Sequence, residues 1–140
     1  LDEAIVVDEN PDFSDVVKSN GKGVDVILDL VGGGYFSENL ESLNLKGRLI
    51  LVGLTAGAKS EINLGVVLAK RLKIIGTVLR SRSLEEKAEA TAKFAGEVVP
   101  LLATGIIRPN LEGVYKVEDV QKAHQYLESN ESFGKVFLEF

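Results

Sequence analysis

Three short runs constrain this chain more than any other feature: VDVILDL at residues 24–30, RLILVGL at 48–54 and KIIGTVL at 73–79. The first is β-branched and apolar almost throughout, and a segment of helical period separates each run from the next. Near-continuous apolar strands belong to parallel sheets covered on both faces, whereas one-sided sheets alternate apolar and polar residues. Strands that alternate with helices build right-handed crossovers on such a sheet. The expected fold class is α/β, a parallel sheet with flanking helices.

The connecting segments carry their own signals. GYFSENLESLNLKG (34–47) reads as a helix with Phe36, Leu40 and Leu43 on one face and Gly47 just past its end. INLGVVLAKRL (62–72) has a helical apolar period. SLEEKAEATAKFAGEVVPLLATG (83–105) opens with Ser83 and Glu86 at the spacing of a capping box. Pro100 inside it predicts a kink or an early end near Val99. VEDVQKAHQYLESN (117–130) is amphipathic, with Val120, Ala123, Tyr126 and Leu127 on its apolar face, and GKVFLEF closes the chain as a strand. Near the start, EAIVV (3–7) reads as a short strand. Asp12 then stands as the N-cap of a short helix terminated by Gly21 and Gly23.

Composition removes several functional classes. The net charge is −5 with acids and bases interspersed, unlike the clustered basic footprint of a nucleic-acid binder. No apolar run is long enough to span a bilayer and no signal segment is visible. There is no Cys and only one His, so neither a disulfide framework nor a thiolate or His-based metal cage can be drawn from these residues. A reducing cytosol is the expected compartment. The chain begins at Leu1 and contains no Met, and the expectation is a piece of a longer protein.

The triple glycine after the first run poses the functional question. A dinucleotide phosphate loop needs G-x-G-x-x-G/A straight after a strand, with an acid at the tip of the next strand. Gly32 and Gly34 meet two positions, but Ser37 stands at the third, and the next strand ends in Val52, Gly53 and Leu54 with no carboxylate. The alternatives are a plain strand-to-helix turn, or a turn that lines the far half of a cofactor lying across several strand ends. The last of these is the favoured reading.

The segments GVDVILDLVGGGYFSENLESLNLKGRLILVGL, KIIGTVLRSRSLEEK and YKVEDVQKAHQYLESNESFGKVFLEF resemble the C-terminal part of medium-chain dehydrogenases/reductases. Within that family they are most similar to the zinc-independent quinone oxidoreductases. The resemblance implies a partial doubly wound, Rossmann-like sheet without its first two strands, AIVVDE matching the third strand and VDVILDL the fourth. Residues 1–106 then correspond to the C-terminal portion of a dinucleotide-binding domain, and 107–140 to a tail returning to a catalytic domain. It further implies NADP as cofactor, with NAD possible, and a quinone or enone as small-molecule substrate.

By position, the resemblance places Val31 and Gly32 beside the cofactor ribose, and Val52, Gly53 and Leu54 near the nicotinamide. Leu79, Arg80 and Arg82 fall on the loop beside the nicotinamide, and Lys135 near the cofactor. Family members often carry a Tyr after the third strand to hold the phosphate end of NADPH. Asp8 stands there instead, and an acid repels a 2′-phosphate.

Plainer readings stand beside these. Arg80 and Arg82 could be a solvated pair flanking the capping box, Gly53 a tight turn, and Lys135 surface decoration. His124 has no visible catalytic partner and reads as a partly buried, hydrogen-bonded side chain rather than a catalytic one. Two functions follow. One is an NAD(P)H-dependent oxidoreductase that reduces quinones or α,β-unsaturated carbonyls, of which this chain is an inactive part with no assignable catalytic residue. The other is a non-catalytic assembly module that dimerises through the edge strand 73–79.

Overall fold

A computed structural model describes residues 3–7, 11–19, 21–129 and 131–140. The chain divides into two compact units, Leu1–Arg82 and Ser83–Phe140. This division reports where the chain packs upon itself.

The first unit holds helix α1 (Ser14–Val17), strand β1 (Val24–Asp29), helix α2 (Phe36–Ser42), strand β2 (Leu43–Leu51), helix α3 (Leu64–Lys70) and strand β3 (Lys73–Gly76). The three strands form one parallel sheet in the order β1-β2-β3. The register aligns Ile27, Leu49 and Ile74 on one face. That face carries the core: Leu40, Leu43 and Leu49 are buried, packed with Ile27, Phe36, Leu51, Val66, Val67 and Leu72. Both helices therefore cover the same face, as successive right-handed crossovers running in one direction require. Lys70 joins them, its Nζ donating to the carbonyls of Leu40 (3.0 Å) and Glu41 (2.7 Å) near the end of α2.

The opposite face differs from the sequence expectation. Val26, Leu28, Leu30, Val52 and Ile75 are exposed, Leu28 at 63%, and among the described residues no helix of this unit covers them. The apolar run at 24–30 was expected to be buried on both sides; α2 and α3 supply only one cover.

Other differences have local causes. The helix expected across 34–47 stops at Ser42, because residues 44–47 make an irregular excursion at the head of β2. There Lys46 takes a positive φ of 63°. The Asn44 side chain imitates a paired strand, accepting from Gly23 N (3.0 Å) and donating to Gly23 O (3.0 Å). Residues 3–7 are not a strand, since a strand exists only through a bonded neighbour and they pair with none among the described residues. Instead Ile5 and Val7 line a cavity of about 240 Å³ with Phe13, Tyr35 and Asn39. Asp12 does not cap α1; the Ser14 amide donates to Glu38 of α2 (2.8 Å). Asp8 lies outside the described residues.

The second unit holds α4 (Leu84–Glu97), α5 (Val99–Ala103), β4 (Leu111–Lys116), α6 (Val120–Glu128) and β5 (Lys135–Glu139). Both arms of the capping box form: Ser83 Oγ accepts from the Glu86 amide (3.2 Å) and Glu86 Oε2 from the Ser83 amide (3.0 Å). The helix breaks at Val98, and Pro100 sits in the first turn of α5, where its missing N–H leaves no bond unmade. Strands β4 and β5 pair in parallel across α6, making a βαβ unit whose helix buries Ala123. Tyr126 of α6 donates to Glu112 (2.6 Å). That hydrogen bond, with burial and the Glu112 charge behind it, pushes the phenol up to about 12.

Candidate cofactor-binding site

Ligands of open parallel sheets lie at the carboxyl ends of the strands, so the site is built from the exits of β1, β2 and β3. Asp29 governs the first exit. It is 3% exposed, and its Oδ1 accepts from the amides of Val31 (2.7 Å) and Gly32 (2.9 Å). Its Oδ2 accepts from Asn39 Nδ2 of α2 (3.0 Å). The Asp29 carbonyl meanwhile accepts from Val52 N (2.7 Å) and Gly53 N (3.2 Å). One residue thus ties the exit of β1 to α2 and to the exit of β2.

This arrangement answers the glycine question. A phosphate cradle needs free backbone N–H groups pointing at the anion. Here the Val31 and Gly32 amides are taken by a carboxylate, and the Gly33 amide by Gly57 O (2.9 Å). A buried carboxylate at the centre also repels an anion. The triple glycine is a strand-to-helix turn and not a phosphate loop. Gly32 is required for another reason: it has φ 82°, and a Cβ there would stand 2.8 Å from Leu54 Cδ2 and 2.9 Å from Gly57 O.

Beyond the strand ends lies a cavity of about 340 Å³ lined by Leu51, Val52, Gly53, Leu54, Gly76, Thr77 and Val78. This lies within the roughly 300–1,000 Å³ of small-molecule sites. Gly53 packs so closely on the exit of β1 that a Cβ would stand 2.5 Å from the Leu30 carbonyl oxygen. A Cβ at Gly76 would meet nothing within 4 Å, so its Cα borders open space. A second cavity of about 240 Å³, on the Gly32–Phe36 side, shares Leu51 and Leu54 with the first.

The residues singled out from sequence fall into three groups. Val52, Gly53 and Leu54 come together on the larger cavity. Gly32 adjoins Leu54, and Val31 is tied to the same loop through the Ala56 amide, which donates to Val31 O (2.9 Å). Leu79, Arg80 and Arg82 follow β3: Leu79 and Arg80 are exposed, and Arg82 folds back to donate to Val78 O (2.9 Å) and Thr77 Oγ1 (3.2 Å). Lys135 opens β5 in the second unit, its amide donating to Asn110 O (2.8 Å). His124 is exposed on α6 beside Val136 and Leu138. Sequence reasoning missed Asp29, Asn39 and Thr77. An acid at the end of an apolar strand, followed by glycines, was the available signal for the first, since such residues close turns on their own backbone.

A parallel sheet with crossovers and a cavity at its strand exits defines the class of open α/β ligand-binding domains. Within that class the chain belongs to the zinc-binding dehydrogenase family, whose profile matches residues 1–138. It resembles the C-terminal part of the quinone oxidoreductases of that group. It is 32% identical over 129 residues to a quinone oxidoreductase of Rattus norvegicus, covering 90% of this chain and 37% of the relative. It is 32% identical over 127 residues to an acryloyl-coenzyme A reductase of Metallosphaera sedula, covering 90% and 35%. The structure of a mycobacterial protein complexed with NADPH superposes with TM-score 0.71 at 26% identity, over 90% of this chain and 38% of that one. The chain spans about a third of the length of the curated relatives it matches.

Two groups that the family implies can be tested against the residues present. The described residues do not furnish a zinc centre, because no three His, Cys, Asp or Glu side chains gather among them where an ion could sit. A nicotinamide fits better. The cavity offers small residues, apolar walls and one hydroxyl, which suits a flat ring bearing a single polar substituent. Among the described residues no helix is long and apolar enough to cross a membrane.

Proposed function

We propose that the chain forms the nicotinamide-side half of an NAD(P)H-dependent oxidoreductase that reduces quinones or other α,β-unsaturated carbonyl compounds. Residues 1–106 serve as the C-terminal portion of its cofactor domain and 107–140 as the tail that returns to a catalytic domain. The observation that carries the reading is the cavity at the exits of β2 and β3, whose lining contains no titratable side chain. When bound, a dihydronicotinamide supplies the hydride, and the protein contributes orientation and water exclusion. Gly76, where a Cβ would meet nothing within 4 Å, lets the ring approach the backbone, and Val52, Leu54 and Val78 give it apolar walls. The substrate class is supported by a chemistry common to two relatives: a quinone and an acryloyl thioester both present a C=C conjugated to a C=O.

With its phosphate-binding half elsewhere, the isolated chain is expected to bind cofactor weakly and to turn over no quinone. Amide NMR shifts at millimolar NADPH and NADH test the reading. Changes centred on residues 52–54 and 76–79 support it. Absence of any change at those positions, or quinone turnover by the chain alone, overturns it.

A second reading rests on a separate observation. Strand β3 is an edge of the sheet, and all four of its residues are exposed. The chain could act as an assembly module that pairs two copies along this edge. Light scattering across a concentration series decides: a strict monomer at high concentration refutes pairing.

A further inference from the structure

We infer that Thr77 is the hydrogen-bond donor of the nicotinamide cavity, and that Arg82 is the positioning residue that makes it one. This rests on the reading of the cavity as a nicotinamide site.

The loop leaving β3 is fastened at both ends. At its start the Thr77 amide donates to Leu51 O (2.9 Å), extending the β2–β3 ladder by one bond. At its end the Arg82 amide donates to Leu79 O (3.2 Å), closing a turn. The Arg82 guanidinium then reaches back across the loop, Nε to Val78 O (2.9 Å) and Nη2 to Thr77 Oγ1 (3.2 Å). A guanidinium can only donate. The Thr77 oxygen is therefore the acceptor in that contact, and its own O–H is left to donate. Among the described residues nothing receives that proton.

Thr77 is also the one residue with a polar side chain among those lining the cavity; Leu51, Val52, Gly53, Leu54, Gly76 and Val78 are the others. In a mostly apolar site a few placed polar groups, backbone groups included, fix the orientation of the ligand, and this hydroxyl is the one the side chains supply. The group on a nicotinamide that can accept from it is the carboxamide oxygen, while the ring itself faces apolar walls. Arg82 does not line the cavity, so its effect on the ligand passes through the Thr77 hydroxyl and the Val78 carbonyl. A planar fork with two fixed donors holds both at once, which a lysine ammonium on a flexible stem cannot do.

The test uses the isotope-labelled 140-residue chain titrated with NADPH and followed by amide shifts at residues 52–54 and 76–79. Thr77→Val removes the hydroxyl at nearly constant shape and is expected to weaken binding about three- to tenfold, the worth of one hydrogen bond. Thr77→Ser keeps the hydroxyl and is expected to bind as the parent does. Arg82→Lys is expected to weaken binding by a similar factor, and the double variant Thr77→Val/Arg82→Lys no further, since both changes remove one interaction. A readout independent of the cofactor is the Arg82 Nε proton, expected to be protected from exchange in the unliganded chain by its bond to Val78 O. Unchanged binding in Thr77→Val, or additive losses in the double variant, overturns the inference while leaving the cavity assignment standing. A parent chain that shows no shift at any of these residues overturns both. Should Arg82→Lys fail to fold, the Thr77 pair alone decides.

Discussion

Replacing Asp29 by Ala removes the acceptor for three donors: the part-buried Val31 amide and the buried Gly32 amide and Asn39 Nδ2. The Val31 and Gly32 amides are fixed by the turn and cannot swing out to water. A buried donor left without a partner costs about 1–3 kcal/mol, so the two buried donors, Gly32 N and Asn39 Nδ2, together cost about 2–6 kcal/mol. We take about 4 kcal/mol as the expected loss, a large share of the roughly 5–15 kcal/mol that holds an ordinary domain together. Asp29→Asn keeps one oxygen for the backbone amides but sets its NH₂ against that of Asn39, and about 1–2 kcal/mol should go. The exchange Asp29→Asn/Asn39→Asp restores a donor facing an acceptor and should return to within about 1 kcal/mol of the parent. Urea unfolding followed by circular dichroism reads these differences from the midpoints at a common slope. An Asp29→Ala loss below about 1 kcal/mol, or an exchange variant as weak as Asp29→Ala, refutes the account of the turn.

Three further outcomes follow from described contacts. Gly32→Ala places a methyl 2.8 Å from Leu54 Cδ2 at φ 82° and should cost about 1–3 kcal/mol, read as a lower thermal midpoint. Lys70→Met keeps the aliphatic stem but loses both bonds to the end of α2; about 1–3 kcal/mol is expected, with faster amide exchange in α2 and α3. Tyr126 has its folded value raised from 10.0 to about 12. The stabilisation this gives is complete below pH 10 and declines as pH climbs from about 10 to 12. Phenolate absorbance in Glu112→Ala should show the titration moved back toward 10, and an unmoved curve contradicts the assignment.

Much of the fold was legible because several elements in both units obey strong local rules. The apolar runs at 24–30 and 48–54, the Ser83–Glu86 box and the Pro100 break each carry their cause within a few residues of sequence. What was not legible depends on partners distant in the chain. Residues 3–7 have strand composition but find no neighbour to bond. Strand β4, LEGVYK, was missed because Glu112 and Gly113 interrupt its apolar pattern and only its pairing with β5 makes it a strand. The end of α2 at Ser42 follows from Asn44 bonding Gly23, 21 residues away. For the candidate site, the strand exits at residues 52–54 were readable from fold logic. Asp29 and Thr77 were not, since their importance lies in which amide or guanidinium faces them.

The uncovered face of the β1-β2-β3 sheet has a calorimetric consequence. Unfolding raises the heat capacity chiefly by wetting apolar surface, and 140 residues ordinarily give about 1.7–2.1 kcal/mol/K. In this chain Val26, Leu28, Leu30, Val52 and Ile75 are already wet in the folded state. Scanning calorimetry should therefore return a heat-capacity increment below the ordinary range and a flatter stability curve. A partner that covered that face would bring the increment back up.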